Sequence, residues 1–255
     1  MREGRVLGDP VGAFLDIKAG ETNPIGFEKK FIVPQIKRTF GGINIYFSFD
    51  LSGSMAEADF VSGLAKAEVQ ADCALLFADS LMQAAIVSER ESSGGDNILP
   101  IKIMVTLASG TAIPVLPLTD KWGPKEQWAF YSGLRQIATG GTPTAETLGM
   151  IENSYLTEKE KLKKRSTPAD NYPLEYVVEM TDGAPNNVNA TIAMHKKLIE
   201  QGVVVRSIII GGAPIDETGM YDKDGNPLKS FSQIPSILAK DIVGQFQKLR
   251  PEKIE

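Results

Sequence analysis

The 255-residue chain carries 27 Lys and Arg against 32 Asp and Glu, a net charge of −5, and 42% hydrophobic residues. That size fits one large domain, or one with an elaborated end, and the mixed charges argue against a nucleic-acid surface, which gathers Lys and Arg on one face. The single cysteine, Cys73, excludes an intramolecular disulfide framework, while the charged start Met1–Arg5 and the lack of a long apolar run point away from a signal peptide or membrane span, so a cytoplasmic location is expected.

Residues 1–40 are rich in Gly, Pro and charge and read as an N-terminal extension of unknown role, with the domain proper over 41–255. Ile43–Phe49 is β-branched, aromatic and nearly all apolar, the composition of a strand buried on both faces. From Phe60 to about Val87, Leu64, Ala67, Ala71, Leu75, Ala78 and Met82 recur at three- and four-residue spacing, which predicts a long helix with one apolar stripe. A strand is predicted at Ile101–Leu107 after the Ser92–Gly95 turn, and helices at about 124–137 and 144–163. Leu174–Met180 reads as a strand, Val188–Gln201 as a helix stopped by Gly202, Val203–Ile210 as a strand and Ile234–Leu249 as a closing helix. Strands alternating with helices imply an α/β fold with a mainly parallel sheet covered on both faces by helices. In such sheets ligands bind beyond the carboxyl ends of the strands, so the loops after the strands carry the functional question.

Three polar loops stand out. The first strand ends in Asp50-Leu51-Ser52-Gly53-Ser54, one carboxylate and two hydroxyls at alternate positions around a glycine. The strand 174–180 ends in Thr181-Asp182-Gly183, a second carboxylate. Between them, Thr139-Gly140-Gly141-Thr142 offers another hydroxyl before a helix opened by Pro143. Carboxylates and hydroxyls suit a hard cation such as Mg²⁺, or equally Mn²⁺, and no His or Cys lies nearby to suggest zinc.

The D-x-S-x-S loop, the G-G-T loop and the T-D-G loop, in this order and at these elements, resemble the metal-ion-dependent adhesion site of von Willebrand factor A domains over roughly residues 42–250. The resemblance implies a Rossmann-like three-layer sandwich with the metal at the top of the sheet, metal-holding roles for Asp50, Ser52, Ser54, Thr142 and Asp182, and a Mg²⁺ whose shell is completed by a carboxylate from a partner protein. The extended stretch 158–171, with the T-D-G-A-P wording, is similar to intracellular bacterial members such as the cobalt- and magnesium-chelatase subunits and partners of MoxR-type proteins. It therefore implies an adaptor to an AAA+ ATPase. Nothing in the resemblance covers residues 1–40.

Plainer readings stand beside these. Ser/Gly/Asp loops commonly only cap helices, which would make this a metal-independent scaffold domain. A Mg²⁺-dependent phosphohydrolase with Asp50 as nucleophile would usually have an Asp or Thr two residues on and a Lys near the later carboxylate. Here Ser52 stands at the first place, and Gly, Ala and Pro follow Asp182. No G-x-S-x-G elbow or P-loop is present, and the expectation is a binding module rather than an enzyme. His195 reads as a surface or packing residue, Cys73 as a small core residue, the 159–165 Lys/Arg run as a solvated helix face or, as the alternative, a docking patch for an acidic partner, and Asp222–Asn226 as a hairpin turn. Trp122 and Trp128 read as core or as a partly exposed contact patch.

Overall fold

The computed structural model describes residues 41–59, 61–91, 100–136, 138–167, 171–210, 215–221 and 228–248. The N-terminal extension and the 222–226 turn lie outside the described residues. All eight residues of β1 (Ile43–Asp50) are buried, as a strand covered on both faces requires. It forms the centre of a five-stranded sheet of order β3-β2-β1-β4-β5, in which β2 (Ile101–Ser109), β4 (Leu174–Thr181) and β5 (Val204–Ile209) run parallel to it. β3 (Thr111–Thr119) closes one edge antiparallel to β2.

Side chains alternate along β1, and the two faces collect different helices. Ile43, Ile45, Phe47 and Phe49 face α1 (Lys66–Glu91), α2 (Pro124–Leu134) and α5 (Ile234–Lys248) in the larger core. Phe47 lies at its middle, stacked 5.2 Å from Phe49 and edge-on to Phe77 and Phe130 at 6.3 and 6.1 Å. Tyr46, with Val177 and Val205, faces α3 (Thr144–Lys164) and α4 (Val188–Glu200). This is the three-layer α/β sandwich expected, with a mainly parallel sheet.

Three features differ from the sequence reading or sharpen it. β3 has no counterpart among the elements read from the sequence, and it contains Pro114 and Pro117. At a sheet edge a missing N–H breaks no ladder, so both prolines are tolerated there. The first helix starts at Lys66 rather than Phe60. Asp59 holds the preceding loop: its Oδ2 accepts hydrogen bonds from the Val61 and Ser62 amides at 3.1 and 3.0 Å and from Ser230 Oγ at 3.0 Å. Such local bonding competes with helix formation. Leu64 is consequently 52% exposed, whereas Ala67, Ala71, Ala78 and Met82 of the same stripe are buried.

His195 is the third. It is fully buried on α4 with Nε2 2.9 Å from Glu179 and Nδ1 2.7 Å from Asp216. Its role is packing rather than surface. Burial pulls its pKa down, but the two carboxylates outweigh that and leave it above the ordinary histidine value. Cys73 is half-buried against the larger core. In the basic run, Lys161, Lys163, Lys164 and Arg165 are exposed, as a solvated face should be. Lys159 instead folds onto Tyr155, donating to its hydroxyl at 2.5 Å. Trp122 packs edge-on against Phe130, while Trp128 is 68% exposed. Among the described residues, no helix is long and apolar enough to cross a membrane.

Candidate functional site

Register brings the first and last loops together. β1 and β4 are parallel neighbours with Phe49 opposite Met180, so Asp50 and Thr181 end side by side. Thr181 Oγ1 donates to Asp50 Oδ2 at 2.6 Å, and the Ser52 amide donates to Asp50 Oδ1 at 2.7 Å. Gln70, on the second turn of α1, donates to the Asp50 carbonyl at 2.9 Å and fixes the strand end from the other side.

The middle loop is stitched in by its backbone. The Thr139 amide donates to Leu51 O at 2.9 Å, the Gly53 amide to Gly140 O at 3.1 Å, and the Gly110 amide to Gly141 O at 2.9 Å. Gly140 has φ +74°, and a Cβ there would lie 2.7 Å from Gly110 Cα, so only glycine fits. Asn186 joins this loop to the third: its Oδ1 accepts from the Thr142 amide at 2.8 Å, and its own amide donates to Thr142 O at 2.9 Å.

All five residues singled out in the sequence therefore meet at one end of the sheet. Thr142 Oγ1 lies 3.4 Å from Asp50 Oδ2, Ser52 Oγ lies 3.2 Å from Ser54 Oγ, and Ser54 Oγ donates to Asp182 Oδ1 at 2.7 Å. Asp50 is 1% exposed. Burial pushes its carboxyl above the ordinary aspartate value, hydrogen bonds from Thr181 and Ser52 pull it partly back, and the charge of Asp182 adds to the rise. Among the described residues, no group of three or more His, Cys, Asp or Glu is arranged to hold a metal ion. The cluster here has two carboxylates and three hydroxyls, an all-oxygen set of the kind that holds Mg²⁺ or Mn²⁺ together with water.

Two residues of the site were missed from sequence. One is Asn186, whose role depends on the loop conformation. The other is Lys66, the first residue of α1, whose Nζ lies 2.7 Å from Asp182 Oδ2 and 2.9 Å from Glu57 Oε2. Burial lowers the lysine pKa, but its bonds to Asp182 and Glu57 outweigh this and leave it raised. The lysine sought next to the later carboxylate is thus present in space, supplied 116 residues away in sequence. No local signal marks it: the apolar spacing places the helix start at Phe60, which leaves Lys66 inside the helix rather than at its first residue.

No family model matches the sequence, and no curated protein matches it. Solved structures do match in fold. The von Willebrand factor domain of the type V pili tip protein Mfa5 from Porphyromonas gingivalis matches at a TM-score of 0.55 and 9% identity, over 84% of this chain and 98% of that one. The pilus adhesin SpaC from Lactobacillus rhamnosus GG matches at 0.54 and 16% identity, over 82% of this chain and 32% of that one. Proximal thread matrix protein 1 from the mussel byssus matches at 0.53 and 20% identity, over 82% of this chain and 49% of that one. The chain thus spans about half of the mussel protein and a third of the adhesin. With its central parallel strands, its antiparallel edge strand and helices on both faces, the chain has the fold of a von Willebrand factor A domain.

Proposed function

We propose that this chain is a protein–protein interaction module that holds Mg²⁺ or Mn²⁺ through Asp50, Ser52, Ser54, Thr142 and Asp182 and grips a carboxylate presented by a partner. One observation carries the reading: these five oxygen-bearing residues, from three loops between Asp50 and Asp182, converge in a single hydrogen-bonded cluster, the Ser52 amide on Asp50 Oδ1 joining its two halves. The bound ion would supply a strong positive charge with open coordination positions. With only two carboxylates to offset it, the ion stays electrophilic toward a third from outside.

A binding role is favoured over a phosphotransfer enzyme because Ser52 stands where such an enzyme usually has an Asp or Thr two residues after its nucleophile. The partner class this reading calls for is a protein with an exposed Asp or Glu, and the mixed charges and net −5 of the chain speak against nucleic acid or an anionic membrane surface. An AAA+ ATPase in the cytoplasm is the partner that the resemblance to intracellular bacterial A domains favours.

A second reading has its own support. Lys66 already provides Asp182 with a positive partner, as a metal-independent scaffold would require. Calorimetric titration of chelator-stripped protein with Mg²⁺ and Mn²⁺ separates the two. The metal reading expects one ion per chain in the wild type and none in a folded Ser52→Ala/Ser54→Ala variant. A folded wild type that takes up neither ion leaves the scaffold.

A further inference from the structure

We propose that Lys66 is a built-in competitor for the divalent cation, so that the protein's own ammonium sets how tightly the site takes metal. This rests on the metal-binding reading above and deepens it.

The geometry is direct. Asp182 has both oxygens engaged, Oδ1 by the Ser54 hydroxyl and Oδ2 by the Lys66 ammonium. The Asp182 side chain is 1% exposed and that of Lys66 is 17% exposed, so this ion pair is shielded rather than screened by solvent. The lysine is also held in position. Its amide donates to Glu57 O at 2.9 Å, its ammonium bridges to Glu57 Oε2 at 2.9 Å, and Asp59 shapes the loop leading into it. A fixed ammonium on one of only two carboxylates repels any second cation drawing on the same oxygens, and in a buried setting that repulsion is strong.

Two consequences follow. In metal-free protein Lys66 offsets the mutual repulsion of Asp50 and Asp182, and so stabilises the fold. Toward metal it acts in the opposite sense, weakening uptake so that the added charge of a partner's carboxylate matters more. Lys66 therefore couples metal retention to partner engagement, and charge rather than shape is the property that matters.

The test uses the full chain, stripped with chelator, as wild type, Lys66→Met, Lys66→Gln and Lys66→Arg. Mn²⁺ affinity is read by calorimetry and melting temperature with chelator and with saturating Mn²⁺. Lys66→Gln keeps a hydrogen-bond donor toward Asp182 without the charge, which guards against a misfolded Met variant. The expected result is Mn²⁺ binding at least tenfold tighter in the Met and Gln variants, with Arg close to wild type. The neutral variants should also melt lower than wild type in chelator and gain more from Mn²⁺. If wild type binds Mn²⁺ and neither neutral variant binds it tighter, the competitor role is overturned while the metal site stands. If no form binds Mn²⁺, the proposed function falls and this inference falls with it.

Discussion

Asp182 and Glu175 lie near opposite ends of β4, and they show how differently one strand treats its carboxylates. At the carboxyl end, Asp182 is met by a hydroxyl and an ammonium. At the amino end, Glu175 is met by neutral donors, the Tyr46 hydroxyl at 2.7 Å and the Asn44 amide at 3.1 Å. Burial pushes the Glu175 carboxyl from the ordinary 4.5 up to about 7, and the two hydrogen bonds only partly oppose this. A folded-state pKa raised above the unfolded value means that the folded protein holds this proton more tightly. The resulting stability is complete below pH 4.5 and is lost as pH rises through 7. The shift corresponds to about 3 kcal/mol. Glu175→Gln should therefore flatten the decline in stability between pH 5 and 8 and leave the variant the more stable at pH 8, as read by urea denaturation. A variant with the wild-type pH slope would show that Glu175 is not the group responsible.

The residues at the site divide by how they can be read. Asp50, Ser52, Ser54, Thr142 and Asp182 were legible because each lies at a polar turn directly after a buried strand or before a helix. Lys66 and Asn186 were not legible in the same way. Their contacts arise from where α1 begins and how the 139–142 loop bends, and neither is a property of a local pattern.

Among the elements, the regularly patterned ones were predicted within a few residues and the exceptions have physical causes. β1 and β4 announce themselves by eight-residue buried runs. β3 hides because its half-exposed pattern and two prolines suit only an edge. The start of α1 was misplaced because the apolar spacing continues through Leu64, while Asp59 gathers the amides that a helix would need. The 139–142 loop is the most constrained connection. Gly140→Ala would force a side chain into a left-handed conformation and against the Gly110 backbone. It should destabilise the fold by about 2 kcal/mol or more, because the φ is unfavourable to a side chain and the clash is with backbone rather than a flexible side chain. It should also weaken metal uptake by displacing Thr142. Thermal melts of Gly140→Ala check the first effect, and unchanged stability would mean that the loop relaxes.

On the scale of the whole molecule, a packed lower sheet supports a polar upper rim. Phe47, Phe77 and Phe130 lock α1 and α2 onto β1, and α1 then delivers Lys66 and Gln70 to the strand ends. On the other face, His195 bridges Glu179 on β4 and Asp216 beyond β5. The Asp216 segment in turn pairs with β5, the Met220 amide donating to Ser207 O at 2.9 Å. Rigidity around the rim matters because a metal ligand set tolerates little displacement, and here it comes from ordinary strand register and helix packing. Crystals of the full chain grown with Mn²⁺ and mapped by the anomalous scattering of manganese test this most directly. One strong peak enclosed by Asp50, Ser52, Ser54, Thr142 and Asp182 is the expected result. Density for those five side chains with no peak among them, at saturating Mn²⁺, would contradict the metal-dependent function.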